Sequence, residues 1–583
     1  MTADYVAIYS NTRGRDEELR RAAALLKKSA LSTVFESGQL HVLANQKYET
    51  SLLPDKSGIV IGDIYCRSFP SKAFDGTAEA ASTILTALRE GRLIDDYWGS
   101  YIAFDVPDGG EHVCIRSPFG NVNAYALESN GLVYLGSDAA TILMLAGRQR
   151  SIDWEALAKH VIWDDFSHER TCIDGVEELR CGESAALNRL AESRTYNWSP
   201  WQFTALSRAI KDRSEAVDLI RREILRCVGN RIQKGRAYAV DLSGGLDSSI
   251  IAAAAMIQGR DISAITMYFA NTEGDERDFA RSVANLHRIP LSEISPDPEK
   301  LDIRRPAKLN LPRPHGRSFV QETDRLSLEL AASRSIFAFV NGQGGDAVFC
   351  HLQSSAPAVD ALRSRGAGPG FIGSAFELAR AAQCNVWEVV QKSLAKMIRG
   401  KPINHWDGDT SFIARDARKL KLDGSAPWPS ANYHPLPGKV EQVHGLYNSC
   451  YNMNGYRRSD TLEGVFPLLS QPLVEACLRV PSWMWIGHGR NRLIARQAME
   501  PELPPKVAWR ISKGGLGELQ RRLLRRQRLI AREMLMDGLL GRNGIIDRDL
   551  IDAELKSDLS YQHTQIVRLL RLCDVEAWCS GTP

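Results

Sequence analysis

The residues best suited to chemistry lie between Ala237 and Ile250, where the apolar run AYAVDL leads into Ser243, Gly244, Gly245, Asp247 and Ser248. Two adjacent glycines let a strand-to-helix turn present its backbone N–H groups without side-chain obstruction. A helix beginning near Asp247 adds its positive end, and the two together hold an anion. The run lacks the lysine of the G-x-x-x-x-G-K-[ST] phosphate loop and carries an aspartate inside the turn, where it suits magnesium on a pyrophosphate. The bland alternative is a plain glycine turn before a helix. A second run, NGQGGDAVF, sets Asp346 among Gly342, Gln343, Gly344 and Gly345. Standing alone, that aspartate reads more readily as a solvated turn residue.

These turns need strands and helices to position them. From Tyr5 to about Trp201 the chain alternates short apolar runs, YVAIYS, LHVLAN, GIVIGDIYC, YIAFDV, HVCIRS, NAYALE and LVYLGS, with Gly, Asn and Asp between them, which predicts an antiparallel sheet. Apolar spacing of three and four predicts helices over Glu17 to Ser29 and Ala78 to Glu90. After SPWQFTALS the pattern becomes helix Ser214 to Asn230, strand Ala237 to Asp241, helix Asp247 to Ile257, strand Ile262 to Phe269, helix Glu276 to Leu286, then LSEI. That alternation is a parallel α/β sheet with the phosphate turn at the carboxyl end of its first strand. The remainder from about Ser318 reads as mainly helical, with loops at Gly366 to Gly373 and Ala426 to Gly438. Two domains are expected, 1–205 and 206–583.

A net charge of +3 with 25% charged and 44% hydrophobic residues excludes a dedicated nucleic-acid binder. Eleven cysteines without a C-x-x-C pair predict reduced thiols and a cytoplasmic protein. No stretch predicts a membrane span or a secretion signal.

Four segments in order, AVDLSGGLDSS, GDERDFARSVANLH, NGQGGDAVF and LPPKVAWRISKGGLG, make the second half resemble the asparagine synthetase-type ATP-dependent amidotransferases, best over residues 206 to 520. WGSYIAFDV, IRSPFG, LGSDAATIL and the Thr171 to Glu183 run resemble the N-terminal glutaminase domain of the same family. The resemblance implies an α+β, Ntn-type glutaminase-like sheet domain. It is followed by an α/β adenine-nucleotide alpha-hydrolase-like (PP-loop) synthetase domain with a mainly helical C-terminal part. It departs from the family where a cysteine should follow the initiator methionine: the chain has Thr2, and Ser117 stands in IRSPFG where an aspartate is usual. Glutamine hydrolysis is therefore not expected. NGQGGDAVF, PLLSQP in place of P-F-L-D-H, and LPRPHGRSF at 311–319 look like lasso peptide cyclases, members that close a macrolactam within a peptide.

By that resemblance, ATP and magnesium are the cofactors and Asp247 and Asp346 the metal-binding carboxylates. Leu242, Ser243, Gly244, Gly245, Asp247, Ser248, Thr266, Met267, Gly342, Gln343 and Gly344 hold the nucleotide. Lys513 neutralises the adenylating phosphate and the oxyanion, acting with the two aspartates. His315, Arg317, Gln343 and Ser470 are the substrate candidates. Asp275 and Glu276 match a family run, but helix capping explains them equally. Gln343 replaces the tyrosine of a tyrosine–glutamate base pair in β-lactam synthetases. An α-amine, with a pKa of about 7.7 to 8.0, is partly neutral at pH 7 and can react largely through positioning. The implied partners are a leader-free core peptide and a leader-removing protease or leader-recognition protein, with no nucleic acid and no membrane. The alternatives are an ammonia-dependent asparagine synthetase or other small-molecule amide ligase, and a non-catalytic nucleotide-binding module. A threaded product further predicts a long, partly apolar groove between the domains. In QRRLLRRQR the basic residues read as a solvated face with Leu523, Leu524 and Leu529 opposite, and Trp483 and Trp485 as core.

Overall fold

All seven predicted strands of the first part form, and three further short runs plus Ser32–Glu36 and Thr50–Leu52 join them. Instead of one sheet they build two, each six-stranded and antiparallel throughout. Strand Tyr5–Ser10 explains why. Tyr5, Ala7 and Tyr9 point into a layer shared with Ile59, Ile61, Ile102 and Phe104 of the other sheet. Val6 and Ile8 face the opposite way, onto Leu19, Ala22 and Ala23 of helix Asp16–Ala24. Strand Gly58–Cys66 repeats the pattern, with Val60 and Ile64 against Ile84 and Ala87 of helix Ala78–Arg89. A period of two with both faces buried gives near-continuous apolar runs, the signature seen in the sequence. The computed structural model describes residues 3–12, 16–26, 30–68, 77–163, 170–269, 274–399, 405–422, 428, 433–511, 514–557 and 563–581.

In the second part five strands form an all-parallel sheet in the spatial order Leu291–Ile294, Ile262–Met267, Tyr238–Asp241, Ala338–Val340, Glu463–Val465. The chain winds outward from Tyr238–Asp241 in one direction and later in the other, so the sheet's switch point lies between Tyr238–Asp241 and Ala338–Val340. The turns after these two strands diverge into a crevice. They are the two glycine-rich runs, 100 residues apart in sequence between Asp241 and Asn341 yet bonded, Asn341 Nδ2 donating to Asp241 Oδ2 at 2.9 Å. Helix Leu246–Ile257, LDSSIIAAAAMI, is buried along most of its length, as expected for a helix packed on several sides.

The hydrophobic cores run across residue 205. One continuous core joins Val60, Trp98 and Trp198 to Ile220, Val240, Ile251 and Trp485. Trp483 and Trp485 are core residues, as predicted. Two other expectations are corrected. Pro369 opens helix Pro369–Ala382, so only Gly366 to Gly368 remains loop; Pro fits a first helical turn, where its missing N–H is not needed. Leu529 is 81% exposed, whereas Leu523 and Leu524 are buried, because helix Gly517–Arg526 ends and a new helix, Arg528–Asp537, starts out of phase. Gln527 between them turns its amide inward to the backbone of Leu301 and Ile303. All eleven cysteines are free thiols. No helix among the described residues is long and apolar enough to cross a membrane.

Candidate active site

The phosphate turn is held by its own serines. Ser243 Oγ lies 3.2 Å from Ser248 Oγ and accepts from the Gly245 N–H at 3.2 Å. Gly244 has φ +71°, and a Cβ there would meet Phe279 Cβ at 2.5 Å, so only glycine fits. Helix Leu246–Ile257 has no side-chain cap at Gly245, which leaves its N-terminus suited to an anionic ligand.

The second turn packs directly on the first. A Cβ on Gly345 would lie 2.5 Å from Asp247 Cγ, so the glycine is what allows Asp346 and Asp247 to converge. They meet at one point: Arg492 Nη1 lies 3.0 Å from Asp247 Oδ1 and 2.6 Å from Asp346 Oδ1. His351 Nδ1 adds a contact to Asp346 at 3.1 Å. Two carboxylates aimed at one cationic nitrogen form a hard-oxygen donor pair that fits magnesium. Among the described residues no group of three or more His, Cys, Asp or Glu side chains converges, so phosphate and water oxygens would complete the shell.

Facing these carboxylates is a wall of arginines. Arg490, Arg492, Arg496 and Arg510 line a cleft of about 780 Å³ together with both glycine turns. Burial, reinforced by Arg492 and Arg490, pushes the Arg496 guanidinium down to about 10. Arg496 and Arg490 direct their donors to the Asn491, Trp509 and Arg510 carbonyls at 2.8, 3.1 and 3.2 Å, which fixes the backbone at Trp509 and Arg510. Arg510 stacks 3.7 Å over the Phe279 ring and pairs with Glu276 at 2.7 Å.

The other end of the cleft is built around Gln343. Its Oε1 accepts from Tyr456 Oη at 3.2 Å and Arg317 Nη2 at 3.4 Å, and its Nε2 donates to the Ser449 carbonyl at 3.4 Å. Arg317 lies 4.2 Å over the Tyr456 ring. Beneath, the buried Arg458 forks onto Asp241, with Nη1 3.0 Å from Oδ1. Phe319, Val320, Met267 and Ala381 supply apolar lining.

The structure thus brings Ser243, Gly245, Asp247, Ser248, Met267, Gly342, Gln343, Gly344, Asp346 and Arg317 into one cleft, with Gly244 packed behind it on Phe279. The structure places the other described candidates outside this cleft. Leu242, just past the strand Tyr238–Asp241, and Thr266, on strand Ile262–Met267, are core residues, 0% and 1% exposed, and do not line the cleft. Ser470 is 4% exposed and stands beside Cys227 of helix Arg213–Arg231. His315 lines a separate small chamber with Arg116, Glu178 and Tyr451. It stacks on Tyr451 at 4.6 Å, and burial holds its imidazole well below the usual range. Lys513 and Thr2 lie outside the described residues. Ser117 is a turn-holding hydroxyl, accepting from Tyr101 N–H at 3.0 Å and donating to the Phe119 carbonyl at 2.9 Å. The cleft lining begins at Asp241 and ends at Leu516, so the cleft itself lies within the second part. Asp275 does act locally, accepting from Arg277 N–H at 3.1 Å. Glu276 does not cap its helix.

The arginine wall was missed by the sequence reading. Its signal is in HGRNRLIARQAM, where Arg492 and Arg496 are one helical turn apart and Arg490 precedes them. Asp241, Asn341, Tyr456 and Arg458 carried no pattern of their own.

The asparagine synthase family model matches residues 219–580. That is more than half of the chain and extends past the four sequence segments to the C-terminal helix. A comparison with curated proteins found no match. The parallel sheet with its paired turns is the PP-loop synthetase fold, and the family's chemistry is ATP-dependent ligation of carbon to nitrogen. The chain belongs to the asparagine synthase family.

Proposed function

We propose that this member of the asparagine synthase family is a peptide macrolactam synthetase of the lasso type. A side-chain carboxylate of a leader-free peptide attacks the α-phosphorus of ATP and expels pyrophosphate. The peptide's α-amine then attacks the acyl carbon, AMP leaves with the bonding electrons, and the amine loses its proton as the isopeptide bond forms. Asp247 and Asp346 would hold magnesium on the departing pyrophosphate, and Lys513 would neutralise charge at the reacting centre.

The observation that carries this reading is the setting of Gln343. Among the described residues its hydrogen-bond partners are an amide, a phenol, a guanidinium and a carbonyl. None is a carboxylate or imidazole base, which suits an amine that is already partly neutral, as an α-amine is at about pH 7. The cleft's arginine-rich end suits a triphosphate, and Phe319, Val320 and Met267 suit apolar parts of a peptide. Thr2 and Ser117 in place of the glutaminase residues support an amine drawn from the substrate. A leader-removing protease of the same pathway would supply the free N-terminus.

The test is pyrophosphate release from ATP and magnesium with two substrates: a leaderless peptide beginning with glycine and carrying an acidic residue several positions on, and aspartate with ammonia. Release only with peptide, and a product lighter by one water, is the expected result. Release only with aspartate assigns the protein to ammonia-dependent asparagine synthesis and overturns the proposal.

A further inference from the structure

A second recess lies at the seam of the two parts. Ala140, Thr141 and Met144 of helix Ala139–Leu145 form one wall, residues 305 to 310 the other, and Arg457 and Asp460 the floor, around a volume of about 600 Å³. That is within the range of pockets that bury a ligand. Its walls are tied together where the Ala139 N–H donates to the Asn310 carbonyl at 2.9 Å. The lining is chiefly apolar, from Met144, Pro306, Ala307 and Leu309, and Met144 is 39% exposed there.

Its charge is one-sided. Lys308 and Asp460 neutralise each other at 2.8 Å, leaving Arg305 and Arg457, both exposed, with no further carboxylate among the described residues that line the recess. The turn Arg457–Asp460 is the partition between this recess and the reaction cleft. Arg458 faces the cleft and pairs with Asp241, whereas Arg457 and Asp460 face the recess. The two cavities share no lining residue, so a chain seated in the recess displaces nothing from the reacting groups.

We propose that this seam recess docks an extended acidic segment of a second protein, in which carboxylates meet Arg305 and Arg457 while intervening leucine-like side chains cover Met144, Pro306 and Leu309. Apolar area supplies the adhesion, and the two guanidiniums set polarity and register. A segment lodged there touches both parts of the chain at once.

The probe is the peptide acetyl-Leu-Asp-Leu-Glu-Leu-amide with a photoreactive central leucine and a neutral dye, added to the full-length protein. Binding is read by fluorescence anisotropy, and adducts are mapped by mass spectrometry. Expected are salt-sensitive binding unaffected by ATP, adducts within 140–144 or 305–310, and at least tenfold weaker binding in Arg457→Glu and in Met144→Glu. A probe with lysines for its acids should not bind. If Met144→Glu fails to fold, Arg305→Glu, at an exposed position, makes the same test. No binding of the acidic probe, binding indifferent to all three substitutions, competition by ATP, or adducts confined to the cleft would each overturn the proposal. Consumption of the probe with pyrophosphate release would also overturn it, by making the peptide a substrate. The readout is binding, so failure here leaves the ligase reading untouched.

Discussion

Arg510 and Glu276 form an ion pair of 2.7 Å that joins the loop before residue 513 to the helix beside the phosphate turn. The same Glu276 oxygen also accepts from the Gly514 N–H at 2.8 Å, and Arg510 Nη1 reaches the Gly244 carbonyl at 3.4 Å. One carboxylate therefore anchors both sides of the segment that carries Lys513. Charge-assisted hydrogen bonds of this kind contribute about 1.5–3 kcal/mol, roughly a tenfold to hundredfold effect on rate where that energy orders the reacting groups. Glu276→Gln, which keeps the shape and removes the charge, should slow pyrophosphate release by that factor with little change in thermal unfolding. An unchanged rate would show that the pair only staples the fold.

Arg492 sits between Asp247 and Asp346, where it offsets the repulsion of two carboxylates. Arg492→Ala should tighten Mn²⁺ binding to the nucleotide-free protein, measured by titration calorimetry, because a competing cation is gone. It should also lower ATP-dependent pyrophosphate release, because a phosphate-facing charge is lost. Asp346→Asn should weaken both. Mn²⁺ affinity indifferent to both substitutions would remove the metal role from this pair.

The same pair shows how far the sequence could be read. Asp247 was identifiable from its glycine-rich turn after an apolar strand, since that turn chemistry is local, whereas Asp346 alone read as a solvated turn residue and was assigned only through the resemblance. What brings them together is the strand order, in which Ala338–Val340 inserts beside Tyr238–Asp241, and sequence spacing does not encode that. Ser470 and His315 were misplaced for a related reason. Polar residues in segments that resemble a functional region can face inward, and only packing against Cys227 or Tyr451 shows it. Most of the fold's elements were legible because apolar periodicity is local, but the three-residue strands Ala338–Val340 and Glu463–Val465, in the stretch read as mainly helical, are too short to show one. The two-sheet layering was not, since a strand buried on both faces looks alike in either arrangement.

Arg458 is buried with Asp241 and Asp324, whose Oδ2 also accepts from the Arg457 N–H at 2.8 Å. Breaking a buried pair by removing one partner costs about 3–5 kcal/mol, since a charge is left uncompensated. Arg458→Met should therefore lower the unfolding temperature clearly. Adding Asp241→Asn should recover part of the loss. If the double variant were no better than the single, the charge argument would fail and packing on Phe339, 4.5 Å from the guanidinium, would explain the loss.

Asp574, on the C-terminal helix His563–Ser580, accepts from the Ser318 N–H at 3.2 Å and so supports the turn that aims Arg317 at Gln343. Burial pushes its carboxyl from 3.8 up to about 7. The unfolded chain loses this proton near pH 4 and the folded chain near pH 7, so between those values the native state binds more protons. Stability from this group is complete at low pH, falls as pH rises through that window, and is gone above it. Asp574→Asn keeps an acceptor for Ser318 and removes the titration. Compared with the parent in urea unfolding, it should gain only about 1 kcal/mol at pH 4.5 and more at pH 8, an amount on the order of 2–4 kcal/mol. Parallel pH curves for the two proteins would mean that Asp574 ionises normally in the native state.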